Sequence, residues 1–269
     1  MDSFWSEPAV RGGRMRAIVL AAGEGSRMLS ALPKPLHLVD GIPMTTRMLN
    51  SLEEIDLDGI VVVVGTQATL VSQTLAQMSG NTEGLDFVEQ TVRRGTADAA
   101  QIGLQSFGSD EVSELDFDVF VLPGDMPLLT SETLVQLQRH HEESGSVATL
   151  LTAEFEDPSG YGRIIRDQNG RIERVVEHAD AGPAELDIHE VNTSVYCFNS
   201  LLLGQALAKV EHSNSQNEYY LTDVVELLGK SGHLVTGVIV DDADEVRGVN
   251  TQEQLLECET LLRIRTNIK

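Results

Sequence analysis

The stretch Arg16 to Pro35, RAIVLAAGEGSRMLSALPKP, sets a short apolar run against small residues and then two cations. Ala17 to Leu20 has the composition of a buried strand, and the residues after it leave the backbone almost bare. N–H groups at Ala22, Gly23, Gly25 and Ser26 can wrap a polyphosphate, and Arg27 and Lys34 can neutralise it. The alternative is a glycine turn with solvent-facing cations. That alternative accounts for the glycines, but it leaves an arginine and a proline-flanked lysine beside one strand end unexplained.

Two commoner phosphate loops are excluded. The only Gly-Lys-Ser, Gly229 to Ser231, has Val224 where a Walker A loop needs its first glycine. It reads as a helix end, with Lys230 at the negative pole of the dipole. The dinucleotide fingerprint fails too, because Met28 takes the place of its third glycine. The next strand ends in Val64-Gly65-Thr66, with no acidic residue for a ribose 2′-hydroxyl. A dinucleotide cofactor is not expected.

Asp125 lies in Pro123-Gly124-Asp125-Met126-Pro127, just after the buried run Phe117 to Leu122. In an open α/β sheet ligands collect at strand C-terminal ends. A lone carboxylate there, beside a polyphosphate loop, suits Mg²⁺, which takes one or two protein oxygens and leaves the rest to water and phosphate. The competing reading is a turn aspartate bonded within its own loop. Asn250, in Val246-Arg247-Gly248-Val249-Asn250, is either the N-cap of the last helix or the oxygen that completes the metal site.

In Gln90 to Thr96, QTVRRGT, the Gln90 amide can read a pyrimidine edge, Gly95 permits close backbone approach and Thr96 can cap the next helix. Arg93 and Arg94 read as solvated. Gly160-Tyr161-Gly162-Arg163 reads as a tight turn, and Glu177, Asn192 and Thr222 are isolated polar residues suited to local hydrogen bonding. Of the seven histidines, His140 and His141 fall on a helix; no HExxH spacing or Gly-x-Ser-x-Gly elbow is present. A phosphate monoester, with its second pKa of roughly 6, is already an anionic nucleophile at neutral pH. Joining it to another phosphate needs positioning and charge neutralisation rather than a histidine or serine.

These residues need a scaffold of strands whose ends converge. With 269 residues and 41% hydrophobic content, the chain suits one large domain or two closely joined lobes. No apolar run is long enough to cross a membrane. The net charge of −23 argues against a nucleic-acid partner. It also makes two cations at one loop look like local compensation for an anionic ligand. Cys197 and Cys258 have no CxxC partner and read as reduced thiols of a cytoplasmic protein. Residues 1–15 read as a flexible leader.

Strand-like and helix-like segments alternate. Gly59 to Val64, Leu85 to Glu89 and Phe117 to Leu122 read as strands; Gln67 to Met78, Ala97 to Ser106 and Ser131 to Glu143 read as helices. Thr130 or Ser131 would cap the last of these. This order predicts a Rossmann-like doubly wound sheet over 16–145. After Gly145, strands are expected at Val147 to Phe155, Arg163 to Arg166, Arg171 to Glu177, Glu190 to Phe198 and Leu234 to Val240. Helices are expected at Leu201 to Lys209, Leu221 to Leu228 and Gln252 to Ile264, with a hairpin turn at Asp167 to Gly170. Residues 146–250 would form a substrate lobe folded onto the same sheet, and 251–269 a closing helix.

Taken in order, LAAGEGSRM-LSALPKPLH, VEQTVRRGTADA, GDMPL, DPSGYGRI, VVEHADA, EVNTSVY, NEYYLTD and VRGVN resemble the N-acetylglucosamine-1-phosphate uridyltransferase domain of the bifunctional GlmU family. The first segment is common to sugar-phosphate nucleotidyltransferases; the others are more specific in combination. The resemblance implies a mixed α/β sheet of the nucleotide-diphospho-sugar transferase type with a sugar-binding lobe. It implies UMP transfer from UTP to N-acetylglucosamine 1-phosphate with release of pyrophosphate. Leu20, Ala21, Ala22, Gly23 and Gly124 would contact the nucleotide, and Arg27 and Lys34 would bind and activate the phosphates. Gln90, Gly95 and Thr96 would read uracil, while Asp125 and Asn250 would hold Mg²⁺. Gly162, Glu177 and Asn192 would hold sugar and ribose, with Tyr220 and Thr222 near the N-acetyl group. Ser26, Pro123, Ser194 and Arg247 stand where that family usually has Thr, Tyr, Gly and Glu. The chain stops where the family's left-handed β-helix would begin and carries no hexapeptide repeat, so acetyl transfer and the trimer built on that helix are not assigned to these residues. The same chemistry on another sugar phosphate or nucleotide, and a catalytically silent nucleotide-sugar sensor, are the rival readings.

Overall fold

The run after Arg14 becomes strand β1 (Met15–Ala21), so Met15 belongs to the sheet rather than to a leader. The computed structural model describes residues 14–79, 84–108 and 116–267, and residues 1–13 of the expected leader lie outside them. β1 pairs in parallel with β4 (Ile60–Val64) on one side and β6 (Asp118–Pro123) on the other, and β5 (Leu85–Glu89) continues the parallel set beyond β4. The unbroken β-branched run of β4 fits a strand covered on both faces. Complete burial of Val62 and Val63 stabilises by roughly 1.5–3 kcal/mol each.

The two faces of the sheet are covered by different helices. Ala17, Val19, Val62 and Val64 pack with Val71 and Leu75 of α2 (Ala68–Met78) and with Leu134 and Leu137 of α4 (Ser131–Ser144). Ile18, Val63, Val119 and Val121 pack with Ala97, Ala99 and Ala100 of α3 (Thr96–Ser106) and with Leu203 and Leu207 of α6 (Ser200–Leu207). Alternate residues of each strand thus serve opposite layers, as a doubly wound sheet requires.

The sheet is mixed because β10 (Glu190–Asn199) runs antiparallel between β6 and β7 (Ala148–Glu154), and β11 (Val235–Ile239) adds in parallel to β7. A hairpin of β8 (Gly162–Arg166) and β9 (Ile172–Val176) hangs from β10 through Val191↔Arg163 and Asn192↔Gly162. The register of β10 shifts between Asn192 and Val195, and inside that shift Ser194 sits at φ 63°. Glycine would take this left-handed conformation without the strain that a serine bears.

Several elements depart from expectation. No expectation covered α1 (Met44–Asn50), the short α5 (Pro183–Leu186) or the hairpin of β2 (Leu38–Val39) and β3 (Ile42–Pro43). That hairpin turns on Asp40 at φ 48° and Gly41 at φ 79°, the turn chemistry of a tight antiparallel connection. α7 (Asp223–Lys230) begins later than expected, and the Leu221 N–H ahead of it is held by the Thr96 hydroxyl at 3.0 Å. The last helix, α8 (Gln252–Asn267), runs past Ile264.

Candidate active site

The C-terminal ends of β1 and β6 meet at one edge of a cleft of about 830 Å³, within the range of small-molecule sites. Its floor is the loop after β1. The Gly124 N–H donates to the Leu20 carbonyl at 2.9 Å, and the Thr45 hydroxyl of α1 donates to the Gly124 carbonyl at 2.6 Å, which fastens the Asp125 loop to the end of β1 and to α1. Gly65, at the end of β4, lies so close that an added Cβ would stand 2.6 Å from the Ala22 carbonyl oxygen.

Gly25 has φ 65°, and a Cβ there would stand 2.7 Å from the Lys34 Cβ; the glycine lets the loop lie against the lysine. Lys34 starts a single tight turn whose next residues, Pro35 and Leu36, are buried, so its stem is fixed. Its ammonium donates to Asp125 Oδ2 at 2.5 Å and to Asn250 Oδ1 at 2.8 Å. The Arg27 guanidinium also donates to Asn250 Oδ1, at 3.0 Å. The loop carrying Asn250 is tied to Asp125 by the bond from Val249 N–H to the Asp125 carbonyl at 2.9 Å.

Neither residue takes the local structural role that competed for it. Asp125 turns its carboxylate to Lys34 rather than into its own loop. The cap of α8 is Thr251, whose hydroxyl accepts from the Gln254 N–H at 3.2 Å, so Asn250 is not the cap. Two oxygens of different loops therefore point at one cation. No group of three or more His, Cys, Asp or Glu suited to a metal occurs among the described residues. One carboxylate and one neutral amide oxygen, with space beside them, are a hard-oxygen donor set that fits Mg²⁺ completed by water and phosphate.

On the opposite wall, Thr222 donates its hydroxyl to Glu177 Oε1 at 3.0 Å, although the two are 45 positions apart. Burial, reinforced by the charges of Asp223 and Asp180 and opposed by the Thr222 hydrogen bond, raises the Glu177 carboxyl. Asn192 donates to the Tyr196 hydroxyl at 2.7 Å, which leaves Asn192 Oδ1 buried without a partner. Burial pushes the Tyr220 phenol up to about 12, so it is a neutral donor at any working pH. Glu177, Asn192 and Thr222, isolated in sequence, share one surface.

The two walls are stitched together. Tyr219 N–H donates to the Arg94 carbonyl at 2.7 Å, and Ala97 N–H donates to the Tyr219 carbonyl at 2.9 Å. Gly95, at φ 118°, makes that contact possible, since a Cβ would stand 2.4 Å from the Tyr219 oxygen. Thr96 bonds Leu221 instead of capping α3, whose N-cap is Gly95. Arg93 is not simply solvated; it pairs with Glu24 of the phosphate loop at 3.0 Å.

Leu20, Ala22, Gly23, Arg27, Gln90, Gly95, Thr96 and Asp125 line the cleft, as do Gly162, Glu177, Asn192, Tyr220, Thr222 and Asn250. Ala21, Lys34 and Gly124 lie just behind, around an adjoining hollow of about 50 Å³ that shares Leu20, Gly23 and Asp125 with it. Tyr161, Ser194, Tyr196, Glu218 and Gln254 also line the cleft and were not among the expected site residues. Tyr196 and Gln254 carried no signal, being one more aromatic in a strand and one more amide in a helix. His140 and His141, on α4, lie outside the cleft.

The family described as nucleotidyl transferase matches residues 16–244. The bifunctional protein GlmU of Bacillus cytotoxicus is 42% identical over 253 residues, 94% of this chain and 53% of that protein. Its counterpart in Bacillus mycoides is 42% identical over 251 residues, 93% of this chain and 52% of that protein. The chain spans about half the length of the curated relatives it matches.

Proposed function

The chain belongs to the nucleotidyl transferase family, and on that premise we propose that it transfers UMP from UTP to N-acetylglucosamine 1-phosphate, releasing pyrophosphate. The observation that carries this reading is the convergence of Lys34, Asp125 and Asn250 at the strand ends, opposite a wall of sugar-compatible hydrogen-bonding groups.

The sugar phosphate is the nucleophile and attacks the α-phosphorus in line with the departing pyrophosphate. Its monoester is anionic without help from a base, so the protein's work is alignment and charge compensation. Asp125 and Asn250 would hold Mg²⁺, which when bound neutralises charge on the phosphate oxygens. Lys34, released from Asp125, steadies the α-phosphoryl oxygens as charge builds on them, and Arg27 holds the pyrophosphate. The loop amides of Ala22 and Gly23 receive the polyphosphate backbone. Glu177 and Asn192 Oδ1 accept from sugar and ribose hydroxyls, while the Tyr220 and Thr222 side chains border the N-acetyl group. Cytoplasmic residence belongs to the same proposal and fits two buried, free cysteines.

A panel of sugar 1-phosphates and nucleoside triphosphates, followed by pyrophosphate release, tests the assignment. UTP with N-acetylglucosamine 1-phosphate should give the highest kcat/KM. A strong preference for glucose 1-phosphate or for dTTP overturns the substrate choice, and absence of any Mg²⁺-dependent turnover overturns the enzyme.

A further inference from the structure

Gln90 is buried, with 5% of its surface exposed, at the end of the cleft assigned to the base. Its amide nitrogen donates to Asp98 Oδ2 at 2.7 Å and to the Gly95 carbonyl at 3.2 Å. Both partners are acceptors only. A glutamine amide is otherwise free to present either end, and its two ends look alike in shape. Here the chemistry of the neighbours decides: the NH₂ must face Asp98 and Gly95, and Oε1 is turned away from both. Asp98 is held in place because it sits on the first turn of α3, between Ala97 and Ala99, which are anchored in the core.

We propose that Asp98 is a positioning residue that sets base specificity by locking the Gln90 amide with its oxygen toward the base. The proposal rests on the reading of the cleft as a uridine-nucleotide site. Uracil carries an N3–H donor between two carbonyls, and Oε1 accepts it. Cytosine carries a bare lone pair at N3, which would face the lone pairs of Oε1. An unrestrained glutamine could rotate and donate to that nitrogen. The locked one cannot, because rotation would press its oxygen against the Asp98 carboxylate. Discrimination of this kind is strong because the wrong base leaves buried polar groups unpaired.

The test compares kcat/KM for UTP and CTP in the parent, in Asp98→Asn and in Asp98→Ser, each checked for an unchanged thermal unfolding curve. Asparagine keeps the shape but can also donate, so a flipped Gln90 amide meets one unfavourable acceptor, the Gly95 carbonyl, instead of two. The UTP-to-CTP ratio should fall roughly tenfold, through improved use of CTP. In a Gln90→Met background, Asp98→Asn should leave the ratio unaltered, since the aspartate acts through the glutamine. A merely structural aspartate would lower both nucleotides alike. A parent that prefers UTP, with the same ratio in both Asp98 variants, overturns this inference alone. A parent with no preference between the two overturns the uridine reading and this inference with it.

Discussion

Lys34 and Asp125, 91 positions apart in sequence, meet as an ion pair of 2.5 Å with only 13% and 23% of their side chains exposed. The ammonium thus occupies the point at which the oxygens of Asp125 and Asn250 converge. On the proposed function, lysine and divalent metal would compete for that carboxylate, and a bound nucleotide would resolve the competition by giving the lysine phosphate oxygens of its own.

In Lys34→Met the competitor is gone. Mn²⁺ or Mg²⁺ should bind the nucleotide-free variant more tightly than the parent by titration calorimetry, while kcat falls by about 100-fold or more. Weaker metal binding in this variant would contradict the shared site.

Asp125→Ala should remove metal-dependent pyrophosphate release, a loss of at least about 100-fold in kcat. His140→Ala, outside the cleft, should stay within about twofold of the parent. Equal losses in the two variants would undo the site assignment.

Gly65→Ala adds one methyl group 2.6 Å from the Ala22 carbonyl oxygen, a contact that the phosphate loop relieves only by moving. The KM for UTP should rise about tenfold, because displacement of loop amides by a fraction of an ångström weakens every phosphate contact at once. An unchanged KM would mean that the loop yields without cost.

Ser194→Gly relieves a left-handed serine at φ 63°. The strain removed, about 1–2 kcal/mol, exceeds the added chain entropy of about 0.5–1 kcal/mol. The variant should melt about 1–4 °C higher in calorimetry. A lower Tm would show that the serine side chain holds the bulge of β10.

Burial, followed by the charges of Glu226 and Asp180, raises the Asp223 carboxyl from the ordinary 3.8 to about 6. Between those values the folded chain holds a proton that the unfolded chain has released. Stability therefore falls as pH rises through that window. Asp223→Asn should out-melt the parent at about pH 8, with the difference closing toward about pH 4. A difference independent of pH would assign the effect to packing.

Arg27, Lys34, Asp125 and Asn250 were legible because each sits in a short segment whose glycines, prolines and polar residues have no use in a core. The order of strands and helices was legible from β-branched runs and helical spacing, and both faces of the sheet are covered as expected. The antiparallel insertion of β10 was not, since a strand's composition does not encode its direction. Glu177 and Thr222 meet only after the chain has folded back over 45 positions, so neither carries a local sign of its partner. Gly65 was hidden for another reason: its importance lies in what approaches it, and a glycine after a strand is otherwise common. The β2–β3 hairpin at Asp40-Gly41 escaped notice because its strands of two residues each are too short for any periodicity.

β10 pairs with β7 between Glu190 and Phe198 along one edge, and along the other with β8 at Val191 and Asn192 and with β6 from Tyr196 to Asn199. Residues 16–145 and 146–250 are therefore rungs of one ladder, and a hinge between them would have to tear it. Any closing motion that kept this pairing intact would be confined to peripheral parts, such as the β8–β9 hairpin and the loop after β1.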